Sequence, residues 1–386
     1  MIVFLAAGGT GGHMVPAHAL AGELRARGHH VLLITDERGA KIPGLFEGTK
    51  REILPAGRLG GGIVGMAKAA RSILAGRRIA KALIRQHGAK VVVGFGGYPA
   101  FPALLAASSA RVPTVIHEQN ALLGRVNRMV AGDARAIATS YAHVQRLKPA
   151  WLDKTVLVGN PVREAVRRLG EIPYPEYDDT SPFKILVTGG SQGASILSDV
   201  VPSALGELPP SLRLRLQVVQ QCRPDEIQRV RAIYSSLRVP AELATYIEDM
   251  PAKLADAHLV IARAGASTIA ELTAAGRPAI LVPLPSAADD HQTANARELA
   301  SSGGARMIPQ SQFTHETLAA QIVALTEDPQ GLANAAARAL SVGRPNAASD
   351  LADLVERVAG GSSPLLIGSA LEARIASDVP ANGLPA

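Results

Sequence analysis

The chain reads Ile2-Val-Phe-Leu5 and then Gly8-Gly-Thr-Gly-Gly12 near its start, and the pattern returns as Ile185-Leu-Val187 followed by Gly189-Gly-Ser-Gln-Gly193. Each copy is a short apolar run, then a glycine-rich turn, then a segment of helical character. Such a unit begins a doubly wound α/β domain, in which a buried parallel strand leads through a tight turn into a helix. Because Gly189 lies 181 residues after Gly8 in a chain of 386, we predict two such domains rather than one large sheet.

The rest of the chain supports this fold class. Further short runs rich in β-branched residues alternate with Ala- and Leu-rich amphipathic segments; the runs are residues 31–34, 91–93, 114–116, 216–219, 259–261 and 279–282. Strands separated by helices are typical of parallel sheets covered on both faces. Ligands of such sheets bind beyond the carboxyl ends of the strands. We therefore predict an α/β protein of two Rossmann-like domains facing a central cleft that carries both glycine-rich turns.

Composition excludes several classes of protein. With 47% hydrophobic and 19% charged residues, the chain is neither disordered nor fibrous. Its single cysteine, Cys222, has no partner for an intramolecular disulfide, which favours a reducing compartment. We interpret the apolar residues 1–7 as the first buried strand, because no basic leader or cleavage site accompanies them. No run reaches the roughly 18 apolar residues that span a bilayer, so any membrane contact is expected to be peripheral.

Charge is divided unevenly along the chain. The net charge is +7, but residues 1–160 hold 21 Lys and Arg against 8 Asp and Glu, whereas residues 161–386 hold 19 against 25. Residues 63–85 are the most basic stretch and contain no acidic residue; their cations are Lys68, Arg71, Arg77, Arg78, Lys81 and Arg85. This stretch fits either a solvated helix packed on its own sheet or a surface attracted to anionic lipid. Nucleic acid is a poorer partner, because aromatic residues make up only 3% of the chain and no stacking platform is evident.

In the first half, two polar clusters follow predicted strands. His13 comes directly after the first glycine-rich turn, and His117-Glu-Gln-Asn120 follows residues 114–116. Neither turn matches Gly-x-Gly-x-x-Gly or a Walker loop, yet each brings backbone N–H groups and a helix start to a place where they bind oxygen-rich anions. The alternative is that the glycines merely tighten a turn. For the side chains, hydrogen bonding to a hydroxyl-rich ligand and proton transfer by Glu118 compete with ordinary loop polarity.

The second half offers two more candidates. Arg263-Ala-Gly-Ala-Ser-Thr-Ile-Ala-Glu271 follows a strand and opens a helix, so its backbone amides are placed to hold phosphate. Glu271 is then placed to accept hydrogen bonds from ribose hydroxyls, unless it only compensates the helix dipole. Asp289-Asp-His-Gln292 looks superficially like a metal site, but adjacent aspartates rarely converge on one ion without further ligands. We interpret Gln292 instead as a hydrogen-bonding partner of a sugar.

Six motifs in a fixed order resemble those of the MurG family, the peptidoglycan N-acetylglucosaminyltransferases that act on a lipid-linked muramoyl-pentapeptide. They are Gly8-Gly-Thr-Gly-Gly-His13, Gly94-Phe-Gly-Gly-Tyr98, His117-Glu-Gln-Asn120, Gly159-Asn-Pro-Val-Arg163, Gly189-Gly-Ser-Gln-Gly-Ala194 and Arg263-Ala-Gly-Ala-Ser-Thr268. The resemblance covers about residues 1–360. Six motifs in the same order are far more specific than any one of them.

The resemblance implies a GT-B fold and a glycosyltransferase. In that family N-acetylglucosamine passes, with inversion, from UDP-N-acetylglucosamine to the 4-hydroxyl of undecaprenyl-diphospho-N-acetylmuramoyl-pentapeptide (lipid I), which makes lipid II for peptidoglycan. The donor-binding residues carried over by motif are Thr10, Gly11, Gly12, Asn120, Arg163, Ser191, Ile247, Glu271 and Gln292. Ile247 is expected to contact uracil through its backbone, with Glu271 on the ribose. His13 and Glu118 are both candidates for proton transfer, and the resemblance leaves the choice between them open.

The resemblance also implies partners and a location, and it implies no cofactor. No metal is expected, because the second turn, a helix start and Arg163 would stabilise the UDP leaving group. The expected partners are UDP-N-acetylglucosamine, lipid I, an anionic membrane surface and other proteins of cell-wall synthesis and division, with no nucleic acid. The expected location is the cytoplasmic face of the cell (inner) membrane, as a peripheral protein.

We divide the chain into domains on the same basis. Residues 1–162 are expected to form the N-terminal, acceptor- and membrane-facing domain, and residues 163–340 the UDP-sugar-binding domain. Residues 341–360 are expected to form a helix that packs back on the N-terminal domain, and residues 361–386 a poorly ordered tail. Residues 170–182 are of low hydrophobicity and are expected to link the domains.

Two departures from the family pattern stand out. Gln220-Gln-Cys-Arg223 replaces a common His-Gln-x-Gly, which leaves the geometry of that loop open. Asp289-Asp-His-Gln292 replaces Asp-Arg-Gln-Gln, so His291 is a further candidate for the sugar contact. Two alternatives share the fold, a diacylglycerol glycosyltransferase and a UDP-N-acetylglucosamine 2-epimerase. A catalytically silent UDP-sugar sensor is a different class, and the presence of both His13 and Glu118 argues against it.

Overall fold

The structure is a computed structural model that describes residues 1–9, 11–42, 44–55, 57, 62–178, 180–190 and 193–362, with only the backbone of Ile63 and Val64. The described strands are β1 (Ile2–Ala6), β2 (His30–Thr35), β3 (Lys50–Ile53), β4 (Val91–Gly94), β5 (Thr114–Glu118), β6 (Ala136–Thr139), β7 (Thr155–Leu157), β8 (Phe183–Thr188), β9 (Leu216–Gln221), β10 (Ala241–Ala244), β11 (Leu259–Ala262), β12 (Ala279–Leu281) and β13 (Ala305–Met307). The described helices are α1 (Gly11–Ala26), α2 (Gly62–His87), α3 (Gly97–Ala110), α4 (Arg125–Val130), α5 (Glu164–Arg167), α6 (Ser195–Gly206), α7 (Pro210–Arg213), α8 (Ile227–Leu237), α9 (Met250–Asp256), α10 (Ala266–Ala275), α11 (His291–Ser301), α12 (His315–Thr326), α13 (Pro329–Ser341) and α14 (Ala347–Ala359).

The chain forms two units, each built on one parallel sheet. Unit 1 comprises Met1–Pro161 together with the chain from Asn346, and unit 2 comprises Val162–Pro345. The strand order is β3-β2-β1-β4-β5-β6-β7 in unit 1 and β10-β9-β8-β11-β12-β13 in unit 2. In both sheets the first strand of the unit is central, and the chain first winds outward on one side and then on the other. The prediction of two doubly wound α/β domains is confirmed, and β1 and β8 are the two strands of the repeat.

Alternating side chains of β1 explain how the sheet of unit 1 is covered. Val3 and Leu5 point to one face, where α1 and α14 cover them, and Phe4 and Ala6 point to the other, where α3 and the inner side of α2 cover them. All four side chains are fully buried. Burying a side chain such as Phe or Leu stabilises a fold by about 1.5–3 kcal/mol, so this two-sided burial anchors the strand that leads into the first glycine-rich turn.

Ion pairs link helix α14 to the residues that directly follow α1. Arg27 contacts Glu23 at 2.8 Å, Asp353 at 2.5 Å and Glu356 at 3.0 Å. His29 Nε2 lies 2.7 Å from the same Glu356 carboxylate. The helix expected within residues 341–360 is thus Ala347–Ala359, and it belongs to the unit formed by the N-terminal part of the chain. Of the expected tail, residues 363–386 lie outside the described residues.

The segment 170–182 differs from the expected linker, because its described residues are packed onto unit 2. Tyr174 donates a hydrogen bond from its hydroxyl to the His258 carbonyl at 2.7 Å, and His258 Nε2 donates to the Glu176 carbonyl at 3.2 Å. The ring of His258 also stacks on Phe183. Aromatic side chains in a segment of low average hydrophobicity give it enough apolar surface to pack. The division between the units falls at Pro161 and Val162 instead.

Helix α2 presents two different sides. Ala69, Ile73, Ala80 and Ile84 recur at helical spacing and are buried, and the helix packs mainly on α3. Its outer side carries exposed cations and exposed apolar side chains; they include Lys68, Arg71, Arg78, Arg85, Met66, Leu74 and Ile79. Within the part of the chain that the structure describes, none of the helices is both long and apolar enough to cross a membrane.

Candidate active site

The first glycine-rich turn leaves β1 and enters α1 at the carboxyl edge of the unit 1 sheet. Gly9 adopts φ 85°, a left-handed conformation that favours glycine, and its N–H donates to Asp36 Oδ1 at 2.9 Å. A Cβ on Gly8 would lie 2.6 Å from Pro99 Cβ and 2.7 Å from Asp36 Oδ1, so this position has room only for glycine. Gly11 and Gly12 form the first turn of α1. Thr10 lies outside the described residues.

His13 stands in the first turn of α1 with its ring against the turn after β4. That turn contains Gly96 and Gly97, which adopt φ 80° and 71°. A Cβ built on Gly96 would lie 3.5 Å from His13 Nε2, and one on Gly97 would lie 3.4 Å from His13 Cε1. The glycines of the motif Gly94-Phe-Gly-Gly-Tyr98 therefore let the imidazole pack directly on backbone. The side chain is half-buried, as expected for a residue at the mouth of a site.

His117 is fully buried at the end of β5 and takes a structural role. Its Nε2 donates to the Gly159 carbonyl at 2.9 Å, and its Nδ1 accepts from Gln119 Nε2 at 2.9 Å. Burial lowers the pKa of His117 to about 4, because no water solvates the charged imidazolium. The ring is therefore neutral at physiological pH, and it ties β5 to the segment before Pro161.

Glu118 is also buried, being only 2% exposed, and its carboxylate is fully engaged. Oε1 accepts from the backbone N and from Nδ2 of Asn120, both at 3.1 Å. Oε2 accepts from Gly124 N and from Asn127 Nδ2, both at 2.8 Å. Burial raises the pKa of Glu118, and these four hydrogen bonds oppose that shift. The carboxylate thus folds the loop that carries Asn120 back onto the end of β5.

Asn127 connects the two proton-transfer candidates, and sequence reasoning missed it. Its Nδ2 donates to Glu118 Oε2 and to the His117 carbonyl, the latter at 3.2 Å. The same nitrogen would lie 3.5 Å from a Cβ on Gly96, against which His13 packs. His13, Asn120 and Glu118 are therefore gathered at one edge of the sheet of unit 1. The sequence signal that could have identified Asn127 is its place as a polar residue in the first turn of α4, the helix that follows the loop after β5.

In unit 2, Arg163 and Glu271 lie together. Arg163 Nη2 donates to Glu271 Oε1 at 2.9 Å. Burial raises the pKa of Glu271, and the neighbouring Arg163 opposes that shift. Two further polar atoms, Arg163 Nε and Ser267 Oγ, are buried without a hydrogen-bond partner among the described residues. Ser267 and Glu271 are one turn apart on α10 and so share a face. Unpaired buried polar atoms are costly in a folded protein, which marks this cluster as a place for a polar ligand.

The second glycine-rich turn follows β8 and is held by the residue that ends β9. Gln221 Oε1 accepts from Thr188 Oγ1 at 3.0 Å and from Gly189 N at 3.2 Å. Gln220 accepts a hydrogen bond from Tyr234 at 2.5 Å inside the core. The first two residues of the departure Gln220-Gln-Cys-Arg223 therefore end a regular strand, and the second glutamine supports the turn. Ser191 lies outside the described residues.

Two more predicted contacts lie in unit 2, one after a strand and one in the first turn of helix α11. Ile247 follows β10 with its side chain 6% exposed in the core, which leaves its backbone as the part able to meet a base. Gln292 Oε1 accepts from Leu284 N at 3.0 Å, so that oxygen is engaged within the protein. His291 Nδ1 donates to the Ala288 carbonyl at 2.8 Å. Asp290 accepts from the Thr293 hydroxyl at 2.7 Å. Among the residues that the structure describes, no three His, Cys, Asp or Glu side chains are grouped as metal ligands.

Comparison with known proteins identifies the family. Residues 3–139 match the glycosyltransferase family 28 N-terminal domain, and residues 184–357 match the glycosyltransferase family 28 C-terminal domain. A protein of Zymomonas mobilis subsp. mobilis, named UDP-N-acetylglucosamine--N-acetylmuramyl-(pentapeptide) pyrophosphoryl-undecaprenol N-acetylglucosamine transferase, is 60% identical over 92% of this chain and 92% of its own. The chain belongs to glycosyltransferase family 28.

Solved structures agree with this membership in family 28. The crystal structure of MurG from Acinetobacter baumannii has a TM-score of 0.73 and 30% identity, and the match covers 92% of this chain and 99% of that one. The resemblance to the MurG family is therefore confirmed. A UDP-GlcNAc 2-epimerase from Neisseria meningitidis, bound to UDP-GlcNAc, has a TM-score of 0.65 over 92% of this chain and 100% of its own. At 13% identity it shares the fold alone.

Proposed function

We propose that this chain transfers N-acetylglucosamine from UDP-N-acetylglucosamine to the 4-hydroxyl of lipid I, with inversion, and so makes lipid II for peptidoglycan. The observation that carries this proposal is 60% identity across 92% of both chains with the named Zymomonas mobilis transferase. The proposal is further supported by two polar clusters at the carboxyl edges of two parallel sheets, where α/β enzymes bind their ligands.

His13 is the general base in this proposal. Glu118 is the weaker candidate, because both of its oxygens already accept two hydrogen bonds each, and proton uptake would disrupt this set. An imidazole needs little adjustment of its pKa to work near neutral pH. His13 would take the proton from the 4-hydroxyl as that oxygen attacks the anomeric carbon. The bond from the anomeric carbon to UDP breaks in the same step, and its electron pair goes to the diphosphate oxygen, which gives inversion.

The donor is held mainly by unit 2 in this proposal. Ile247 would meet the uracil through its backbone and Glu271 the ribose, while Arg163 and Ser191 would meet the diphosphate or sugar and Gln292 the sugar hydroxyls. Buried Arg163 Nε, without a partner among the described residues, supports an anionic ligand beside it. Thr10, Gly11, Gly12 and Asn120 would contribute from unit 1.

The leaving group needs no metal in this proposal. Arg163, backbone N–H groups and a helix start supply the positive potential that the diphosphate requires. We expect excess EDTA to leave turnover within about twofold of the untreated enzyme. A loss of activity that added Mg²⁺ restores would contradict this part of the proposal.

The membrane partner in this proposal is an anionic lipid surface at the cytoplasmic face of the inner membrane. The outer side of α2 supports it, since exposed Met66 and Leu74, at 58% and 53%, stand among exposed cations. Such a mixture suits the lipid headgroup region. The proposal also includes contacts with other proteins of cell-wall synthesis and division. It includes no binding of nucleic acid.

Flotation with liposomes tests the membrane contact. We expect binding to require anionic lipid and to weaken about tenfold or more when Arg77, Arg78 and Lys81 all become Glu. The matched control changes three exposed arginines of unit 2, Arg231, Arg238 and Arg297, to Glu and so alters the charge equally elsewhere. Equal losses in both variants would assign the effect to net charge, and unchanged binding would exclude α2 as the contact.

The activity itself is tested with purified protein, labelled UDP-N-acetylglucosamine and a lipid I analogue. The expected product is the lipid-linked disaccharide with an inverted anomeric centre. Epimerised UDP-sugar in the absence of disaccharide would favour the epimerase that shares this fold. Tight UDP-sugar binding without any turnover would favour a sensor.

A further inference from the structure

Asp36 lies where three parts of the chain meet around the first glycine-rich turn. It follows β2 directly, and its side chain is 15% exposed. One oxygen, Oδ1, accepts from Gly9 N and from Gly39 N, both at 2.9 Å. The carboxylate therefore joins the turn after β1 to the turn after β2, and it holds Gly9 in its left-handed conformation.

The surroundings of Gly8 and Gly39 explain why these turns cannot move independently. A Cβ on Gly39 would lie 3.2 Å from Gly8 Cα, so the two backbones touch. On its other side, Gly8 is pressed against Pro99 in the first turn of α3. The glycine-rich turn is thus clamped between Asp36 and the start of α3.

The start of α3 also contacts His13. Gly96 and Gly97, which precede Pro99, form the backbone surface on which the imidazole packs. The described contacts run from Asp36 to Gly9 and Gly8, from Gly8 to Pro99, and from Gly97, in the same turn of α3 as Pro99, to His13. Loss of the link from Asp36 is therefore expected to alter the backbone surface on which the imidazole packs.

We propose that Asp36 is a positioning residue that fixes the first glycine-rich turn and thereby sets the orientation of His13 for proton transfer. This inference rests on the proposed function. A misplacement of about 1 Å in a catalytic group lowers a rate by about a hundredfold, so loss of one such link is expected to reduce kcat by about 10- to 50-fold.

The test compares Asp36→Ala, Asp36→Asn and the control Glu37→Ala. Glu37 is the neighbouring exposed carboxylate, so its removal changes the same charge without touching the turn. We expect Asp36→Ala to lower kcat by about 10- to 50-fold and to leave the Kd of uridine, which only Ile247 and Glu271 of unit 2 would contact, within twofold. Asp36→Asn keeps an oxygen acceptor in place and is expected to recover kcat to within about threefold of wild type. Glu37→Ala is expected to match wild type.

Three outcomes would overturn the inference. Wild-type kcat in Asp36→Ala would show that the link does not matter. Parallel losses in kcat, uridine affinity and melting temperature, without rescue by Asp36→Asn, would assign Asp36 to general folding. Equal losses in Glu37→Ala would assign the effect to charge. If wild-type protein formed no disaccharide, the proposed function would fail first, and that result is separable because the wild type is assayed in the same experiment.

Discussion

The two glycine-rich turns are supported in the same way but by side chains of different charge. In unit 1 the turn follows the central strand β1, and Asp36 at the end of the adjacent β2 accepts from Gly9 N. In unit 2 the turn follows β8, and Gln221 at the end of the adjacent β9 accepts from Gly189 N. The two supports occupy equivalent places in the two sheets, and one is a carboxylate where the other is a neutral amide.

The difference in charge fits a difference in role. The Asp36 carboxylate occupies a turn N–H and adds a negative charge, which exposed Arg38, with its Nε 3.3 Å from Asp36 Oδ2, offsets only in part, whereas the amide of Gln221 carries no net charge. The turn supported by Asp36 is therefore suited to positioning His13, and the turn supported by Gln221 is suited to an anionic ligand. Arg163, with its unpaired Nε among the described residues, lies in the unit with the neutral support.

The largest effect is expected from removing the proposed general base, His13. His13→Ala should lower kcat by about 10³-fold, equivalent to about 4 kcal/mol of transition-state stabilisation, with the Kd of UDP within twofold. Single-turnover kinetics with saturating donor measure it. The exposed His30 provides the control, since His30→Ala should turn over like wild type. Normal turnover in His13→Ala would exclude this residue as the general base and would favour Glu118 in that role.

A smaller effect, on binding rather than turnover, is expected at Glu271. Glu271→Ala removes a hydrogen-bond acceptor for the ribose and should raise the KM for UDP-N-acetylglucosamine about thirtyfold, or about 2 kcal/mol, with kcat within threefold. Glu271→Gln is the control, because it keeps an oxygen that can accept a hydrogen bond from Arg163 and so does not leave Arg163 without a partner. If kcat fell and the KM did not change, Glu271 would act in catalysis and the division of roles between the units would be wrong.

Much of this arrangement was predictable from sequence because it depends on local pattern. The repeated strand and glycine turn predicted both sheets, and the order of strands follows from doubly wound topology. His13, Glu118 and Asn120 were predicted at one edge, and they lie there. The sequence could not predict that the Glu118 carboxylate is occupied by four hydrogen bonds. Their donors lie on a loop and a helix that reach Glu118 only through tertiary packing.

Asp36 and Gln221 occupy positions that the sequence pattern itself marks. Both stand at or just after the carboxyl end of a strand next to a glycine-rich turn, and His117 and Glu118 were predicted from the same kind of position. Their importance depends on which strands are neighbours and in which register, and pairs such as Ala6 with Ile34 are set only when the sheet forms. Asn127 was missed for a similar reason, since its two acceptors lie nine and ten residues away in sequence.

Replacing the neutral Gln221 by a carboxylate tests whether the charge of the supporting side chain affects anion binding at the turn of unit 2. Gln221→Glu should weaken UDP binding about tenfold, because a carboxylate would then stand beside the turn that is proposed to receive the diphosphate. Uridine, which has no phosphate, should bind with unchanged affinity. Isothermal titration calorimetry of both ligands measures the difference.

A neutral control separates charge from geometry at Gln221. Gln221→Ala removes the support without adding charge and should weaken UDP binding less than Gln221→Glu does. Equal losses for UDP and uridine in Gln221→Glu would mean that the turn has simply unfolded. Unchanged UDP affinity would mean that the neutral support has no bearing on where the anion binds.

The smallest effect concerns acid stability at the edge of unit 1. The pKa of His117 is lowered to about 4 by burial from about 6.5 in an unfolded chain. Between these values the unfolded state binds more protons, so the free energy of unfolding falls as pH drops through this range. From pH 7 to pH 5.5 the protonation of this group in the unfolded state should lower the free energy of unfolding by about 1 kcal/mol.

Urea unfolding at the two pH values should therefore give a smaller pH-dependent loss of unfolding free energy for His117→Gln than for wild type. His258 in unit 2, whose pKa burial also lowers, is present in both proteins and cancels in the comparison. An identical pH-dependent loss in the two proteins would mean that His117 does not account for the acid sensitivity, which would then belong to other groups such as His18 and His258, whose pKa values burial also lowers.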